Sequence, residues 1–112
     1  MSKIYDVIIL GAGPAGLTAG LYAGRSRLST LILEKGQDGG QIAITNEIEN
    51  YPGQQLEGES GPSLIARMTA QAEKFGMERA RDSIKSVELT GEVKKLTGMK
   101  GEYLAKTVIL AT

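Results

Sequence analysis

Tyr5-Asp6-Val7-Ile8-Ile9-Leu10 runs straight into Gly11-Ala12-Gly13-Pro14-Ala15-Gly16, and Thr30-Leu31-Ile32-Leu33-Glu34 follows an Ala/Gly-rich stretch that ends at Gly24. Residues 7–10 are continuously apolar, as a strand buried on both faces requires. The pattern is strand, glycine turn, helix and second strand, closed by an acid about twenty residues beyond the turn. A bare G-x-G-x-x-G is a weak signal. A strand before it, a helix after it and Glu34 in place make it a dinucleotide-binding unit.

Each part has a physical task. Gly11 lets the chain turn sharply out of the strand. Gly13 has no side chain, so a pyrophosphate can approach the backbone. Gly16 lets the helix lie close to the sheet. The first helical amides lack intrahelical partners and carry partial positive charge. They can hold a diphosphate without Lys or Arg. Pro14 suits the first turn, where a missing N–H costs little. Glu34 can accept hydrogen bonds from ribose hydroxyls and disfavours a 2′-phosphate, so NADP is a poor candidate here. Gly16, Gly20 and Gly24 are spaced four apart and share a helix face. The first two oppose the helix by roughly 2 kcal/mol, which close packing must offset.

Composition narrows the rest. The 112 residues suffice for one domain with a real core. Lys+Arg and Asp+Glu are both 13, and His and Cys are absent. Zero net charge gives no support to nucleic-acid binding. No apolar run reaches membrane-spanning length. Met1-Ser2-Lys3 enters the strand without a signal or transit sequence, so a cytoplasmic location is expected. Without Cys there is no disulfide, thiolate metal site or thiol nucleophile, and without His the usual general base is gone. No catalytic side chain and no metal site is expected, and a cofactor must carry the chemistry.

Residues 35–62 form a long connection, read as an ordered loop that wraps a cofactor and is anchored by Ile42, Ile44, Ile48 and Tyr51. Residues 63–75 carry Leu64, Ile65, Met68, Ala72 and Phe75 at helical spacing, with Pro62 in the first turn and Gly76 as the stop. Residues 78–81 read as a short parallel strand. Residues 84–90, 93–97 and 103–105 read as a three-stranded antiparallel meander, with Val87 and Leu89 on a half-buried face. Residues 107–110 are again continuously apolar and should rejoin the buried parallel sheet. The expected fold is α/β and Rossmann-like: parallel strands near 5–10, 30–33 and 107–111, helices near 14–25 and 62–75, and the meander across 84–105. A buried strand as the last element suggests an incomplete domain.

The glycine motif and its helix, Gly39-Gly40-Gln41, and Glu47-Ile48-Glu49-Asn50-Tyr51-Pro52-Gly53 together resemble the FAD-binding N-terminal part of the bacterial thioredoxin reductase family. Val108-Ile109-Leu110-Ala111-Thr112 is similar to the start of that family's second flavin motif. The resemblance implies that residues 1–112 are the first segment of an FAD-binding domain. An NADPH domain with a Cys-x-x-Cys dithiol and a returning C-terminal FAD segment would lie outside them. It implies electron transfer from NADPH through FAD to thioredoxin, in a homodimer. A ferredoxin-dependent or peroxide-system flavoprotein of the same fold remains an alternative, as does a non-catalytic fragment with weak or no flavin binding.

By the same resemblance, Gly11, Gly13, Pro14 and Ala15 hold the pyrophosphate, Ala12 belongs to the same cofactor-binding turn, and Glu34, Lys35 and Gly36 meet the adenosine ribose. Gly39, Gly40, Gln41 and Ile42 pass the ribityl chain, Asn50 faces the polar edge of the ring, and the Ile84 backbone meets adenine. Ala111 and Thr112 begin the second flavin motif. Gln41 and Asn50 offer both donors and acceptors, which suits that ring edge; ordinary loop capping also uses these residue types. The Glu47/Glu49 pair reads as a solvated loop face. FAD is favoured over NAD because residues 39–41 and Asn50 add a flavin-side wall. The isolated chain is expected not to reduce a disulfide, because no Cys is present to take electrons from the flavin.

Overall fold

The computed structural model describes residues 3–35, 52 and 60–112. Eight elements follow in order: β1 (Ile4–Leu10), α1 (Pro14–Arg25), β2 (Thr30–Glu34), α2 (Gly61–Lys74), β3 (Glu78–Arg81), β4 (Ile84–Glu88), β5 (Lys94–Gly98) and β6 (Glu102–Leu110). The strands form one sheet in the order β3-β2-β1-β6-β5-β4. The first four are mutually parallel, and β6, β5 and β4 are antiparallel.

The continuous apolar runs in β1 and β2 exist because both faces of the parallel sheet are covered. Side chains alternate across a strand. Val7, Ile9 and Ile32 therefore point to one face, where they pack with Leu17 of α1, Ile65 and Ala72 of α2, and Met77. Ile8, Leu31 and Leu33 point to the other, where Leu96 of β5 and Ala105 of β6 cover them. Ile8 and Ile9 have no exposed surface at all. Strand β1 lies between β2 and β6, inside the sheet, as the sequence requires.

Helix α1 packs along its later glycines against the C-terminal end of α2 and Met77 just beyond its cap. A Cβ on Gly20 would overlap Met77 Sδ, and one on Gly24 would lie 2.9 Å from the Phe75 carbonyl oxygen. Helix α2 begins at Gly61, with Ser60 as N-cap accepting from the Ser63 amide at 3.2 Å. It stops where Gly76 takes φ 95°, a conformation glycine supplies without strain.

Three expectations need correction. The third meander strand and the returning parallel strand are one continuous strand, β6: its residues 102–105 pair with β5 while residues 104–110 pair with β1. Lys106, between the two apolar runs, points out toward Asp6, 3.5 Å away. The returning strand is also not buried at its end, since Ile109 and Leu110 are 40% and 65% exposed; among the described residues nothing pairs with the far edge of this stretch. Finally, Phe75, Val87 and Leu89 lie outside the core. Phe75 caps α2 where the chain leaves helical geometry, and its ring lies 5.7 Å from both Arg25 and Lys74. Val87 stands on the edge strand β4, and Leu89 follows it.

The link from β3 to β4 is fastened by Asp82. Its carboxylate is buried and accepts from Tyr103 Oη at 2.8 Å, the Met99 amide at 2.9 Å and the Lys100 amide at 3.1 Å. A Cβ on Gly98 would overlap this carboxylate. Burial pushes the Asp82 carboxyl up, but the Tyr103 hydroxyl and the amides of Lys100, Ser83 and Met99 outweigh it and leave it below its ordinary value. The β5–β6 turn is thereby pinned to the β3–β4 link.

Candidate functional site at the carboxyl ends of the parallel strands

The carboxyl ends of β1, β2 and β6 converge around the glycine turn. The Gly11 amide donates to the Leu33 carbonyl at 2.9 Å, and the Ala111 amide donates to the Leu10 carbonyl at 2.8 Å. Gly11 has φ +110°, a region that side chains rarely enter, and a Cβ there would overlap the Ala111 carbonyl oxygen. A Cβ on Gly16 would overlap the carbonyl oxygen of Gly11. Turn, helix and β6 end thus meet backbone to backbone.

Glu34 is bonded into the same joint. One carboxylate oxygen accepts the Ala12 amide at 2.9 Å and the other accepts the Lys35 amide at 2.9 Å. Ala12 is fully buried, so its part here is to fix Glu34 through its amide. A carboxylate offers about four acceptor positions, so holding the turn is compatible with accepting ribose hydroxyls.

Helix α1 starts beside this acid. Gly13 is the N-cap, with extended φ −78° and ψ −174°; among the described residues no side chain caps the helix, and its first turn holds no acid. Uncapped first-turn amides with positive dipole character suit a diphosphate. The donor set and the glycine-lined approach fit the diphosphate and ribose of a dinucleotide cofactor such as FAD.

Next to Glu34, at the open end of β2 and β3, lies a cavity of about 270 Å³ lined by Ile32, Glu34, Arg79, Ala80 and Arg81. Beside it the Asp82 amide donates to the Glu34 carbonyl at 3.1 Å. The Arg79 Nε donates to Glu73 at 3.1 Å. Sequence reasoning missed Arg81 and Asp82. The Arg/Glu alternation of β3 indicated a strand only, and the closeness of Arg81 to Glu34 follows from a register that no local pattern reveals.

Of the expected site residues, Gly11, Ala12, Gly13, Pro14, Ala15, Glu34, Lys35, Ala111 and Thr112 cluster at this end of the sheet. Ile84 opens β4 opposite Gly98, two residues after Asp82. Gly36, Gly39, Gly40, Gln41, Ile42 and Asn50 lie outside the described residues, as do Glu47 and Glu49. Of the long connection, Pro52 borders a cavity of about 260 Å³ with Leu17, Leu21, Leu64 and Met68, between α1 and α2. Among the described residues no cluster of three His, Cys, Asp or Glu could hold a metal, and no helix is long and apolar enough to cross a membrane.

Comparison with known proteins agrees with this geometry. The family description "pyridine nucleotide-disulphide oxidoreductase" matches residues 5–112. The chain is 54% identical to a thioredoxin reductase of Peptoclostridium litorale over all of its own length and 35% of that protein's. It superposes with a TM-score of 0.92 and 45% identity on thioredoxin reductase from Streptococcus pyogenes, covering 36% of that chain. A ferredoxin-flavin thioredoxin reductase from Clostridium acetobutylicum is also similar, with a TM-score of 0.81 and 25% identity, over 98% of this chain and 38% of that one. The chain spans about a third of the length of the relatives it matches.

Proposed function

The chain belongs to the pyridine nucleotide-disulphide oxidoreductase family, and from that premise we propose that it forms the first segment of the FAD-binding domain of a thioredoxin-disulfide reductase. The observation that carries this reading is the joint of Glu34 with the glycine turn, beside the uncapped start of α1. One end of the sheet thereby offers a diphosphate site and a ribose site. The kinship to thioredoxin reductases supports the reaction: NADPH as donor, thioredoxin as acceptor, a homodimer in the cytoplasm. When bound, FAD supplies the ring that takes up and passes on the electrons.

The residues then divide the cofactor among them. Gly11, Gly13, Pro14 and Ala15 cradle the pyrophosphate, and Ala12 holds Glu34 in place. Glu34, Lys35 and Gly36 meet the adenosine ribose, and the Ile84 backbone meets adenine. Gly39, Gly40, Gln41 and Ile42 follow the ribityl chain, and Asn50 takes the ring edge. Ala111 and Thr112 border the turn. A ferredoxin-fed reductase is the second reading, favoured by the likeness to the ferredoxin-flavin enzyme; it uses the same residues.

The test is flavin retention. The chain loaded with FAD should keep a bound-flavin absorbance band through gel filtration. Gly13→Val should remove it while the circular dichroism spectrum stays unchanged, because the isopropyl group stands where the diphosphate must approach. Equal flavin in both proteins sinks the assignment. With no Cys in the sequence, this chain given FAD, NADPH and oxidised thioredoxin should reduce no disulfide.

A further inference from the structure

We propose that Arg81 selects the adenine half of the cofactor, its guanidinium lying flat against a purine base whose ribose hydroxyls rest on Glu34. This deepens the flavin reading and rests on it for the identity of the whole ligand. Glu34 and Arg81 are register partners in the parallel β2–β3 ladder, and so are Ile32 and Arg79. Same-register residues of parallel strands point to the same face, so these four side chains surround one space. Its volume of about 270 Å³ lies just under the roughly 300 Å³ at which small-molecule sites begin. That size suits one base better than a whole dinucleotide.

The two arginines differ in what already holds them. Arg79 is tied to Glu73 through its Nε. Arg81 is exposed and has no ion pair or side-chain hydrogen bond among the described residues. It is a cation next to the ribose acid, on the wall of a cavity, that no other described side chain engages. A base held by its ribose on Glu34 is one glycosidic bond away from that wall. Guanidinium is planar, weakly hydrated and stacks on aromatic faces, whereas an ammonium does not. Stacking therefore predicts that an aromatic residue can replace Arg81 and that lysine cannot.

The chain and its Arg81→Ala, Arg81→Lys and Arg81→Tyr variants are titrated with FAD and FMN by flavin fluorescence and with ADP by calorimetry. Arg81→Ala should weaken FAD and ADP by about tenfold and leave FMN, which lacks adenosine, unchanged. Arg81→Lys should behave like the alanine variant, and Arg81→Tyr should stay within about threefold of the parent. Retention by lysine with loss by tyrosine means that charge, not stacking, is read, and overturns the proposal. So does ADP or FAD binding that ignores Arg81, which leaves the flavin reading standing. Arg81-dependent binding of ADP without binding of FAD keeps this assignment and overturns the flavin reading. Binding of neither ligand overturns both.

Discussion

Glu34 and Asp82 are both carboxylates at the ends of neighbouring strands, joined by the hydrogen bond from the Asp82 amide to the Glu34 carbonyl. Both accept backbone amides, yet their surroundings diverge. Asp82 is 4% exposed, takes a phenol as well as amides, and is walled in by Gly98. Glu34 is only half-buried, bonds the glycine turn and opens onto a cavity. An acid surrounded by donors and sealed from water serves the architecture. An acid fixed by two amides at a cavity mouth can still receive a ligand.

The largest effect should come from the joint on the Glu34 side. In Gly16→Ala the new Cβ would overlap a backbone oxygen of Gly11, and neither backbone can retreat. The expected cost is about 3 kcal/mol or more, with flavin binding lost. Gly20→Ala meets only the flexible Met77 thioether and gains about 1 kcal/mol of helix propensity. Its stability should stay close to that of the parent. Urea midpoints of the two variants measure the contrast, and equal losses would dissolve it.

On the Asp82 side, Asp82→Ala strips acceptors from Tyr103, Met99 and Lys100. The melting temperature should fall by roughly 10 °C, while the folded fraction still binds FAD. Lost binding at an unchanged melting temperature would move Asp82 into the ligand site.

pH should probe the Asp82 cluster more finely. Burial, helped by the hydrogen bond to Asp82, pushes the Tyr103 phenol from 10.0 up to about 12. The folded form thus favours the protonated phenol. Its stabilisation is complete below pH 10.0 and is lost as pH rises toward about 12. Asp82 is held below its ordinary 3.8, so its contribution is present above that value and is lost as pH falls through the depressed one. Tyr103→Phe should flatten the part of the alkaline melting curve that this phenol causes; an unaltered curve would show that ionising this phenol costs the fold nothing.

The smallest effect concerns a buried hydroxyl on α2. Thr69 Oγ1 on α2 has no hydrogen-bond partner among the described residues. Thr69→Val swaps that hydroxyl for a methyl of similar size and should stabilise by about 1 kcal/mol or less. A clear loss in chemical denaturation would mean that the hydroxyl has a partner after all.

What the sequence reveals follows the range of the interactions. The β1–turn–α1–β2 unit is legible because its signals are local: apolar runs, glycines at fixed spacing, and an acid at the right distance. The join within β6 is not, because Lys106 interrupts the apolar pattern and only the pairing partners on either side show one strand. Phe75 fits the helical spacing of α2 but falls on its cap, where that periodicity ends. Glu34 is found by its distance from the glycines. Arg81 and Asp82 stay hidden because their roles depend on partners across the sheet and on residues 98–103.

The continuity of β6 also sets an order of assembly. β1 and its partner β6 are joined by a hydrogen bond from Thr107 Oγ1 to the Asp6 carbonyl, across 101 residues. Strand β1 therefore keeps one flank bare until residues 102–110 have been made. Such distant pairing is slow, because loop closure must precede its reward. During synthesis the apolar edge of β1 is the segment most in need of shielding by a chaperone. Once β6 docks, it delivers the pinned meander and the Ala111 end of the glycine turn in one event. The two halves of the molecule should thus gain protection from hydrogen exchange together, β2 and α1 included, rather than in the order in which they were made.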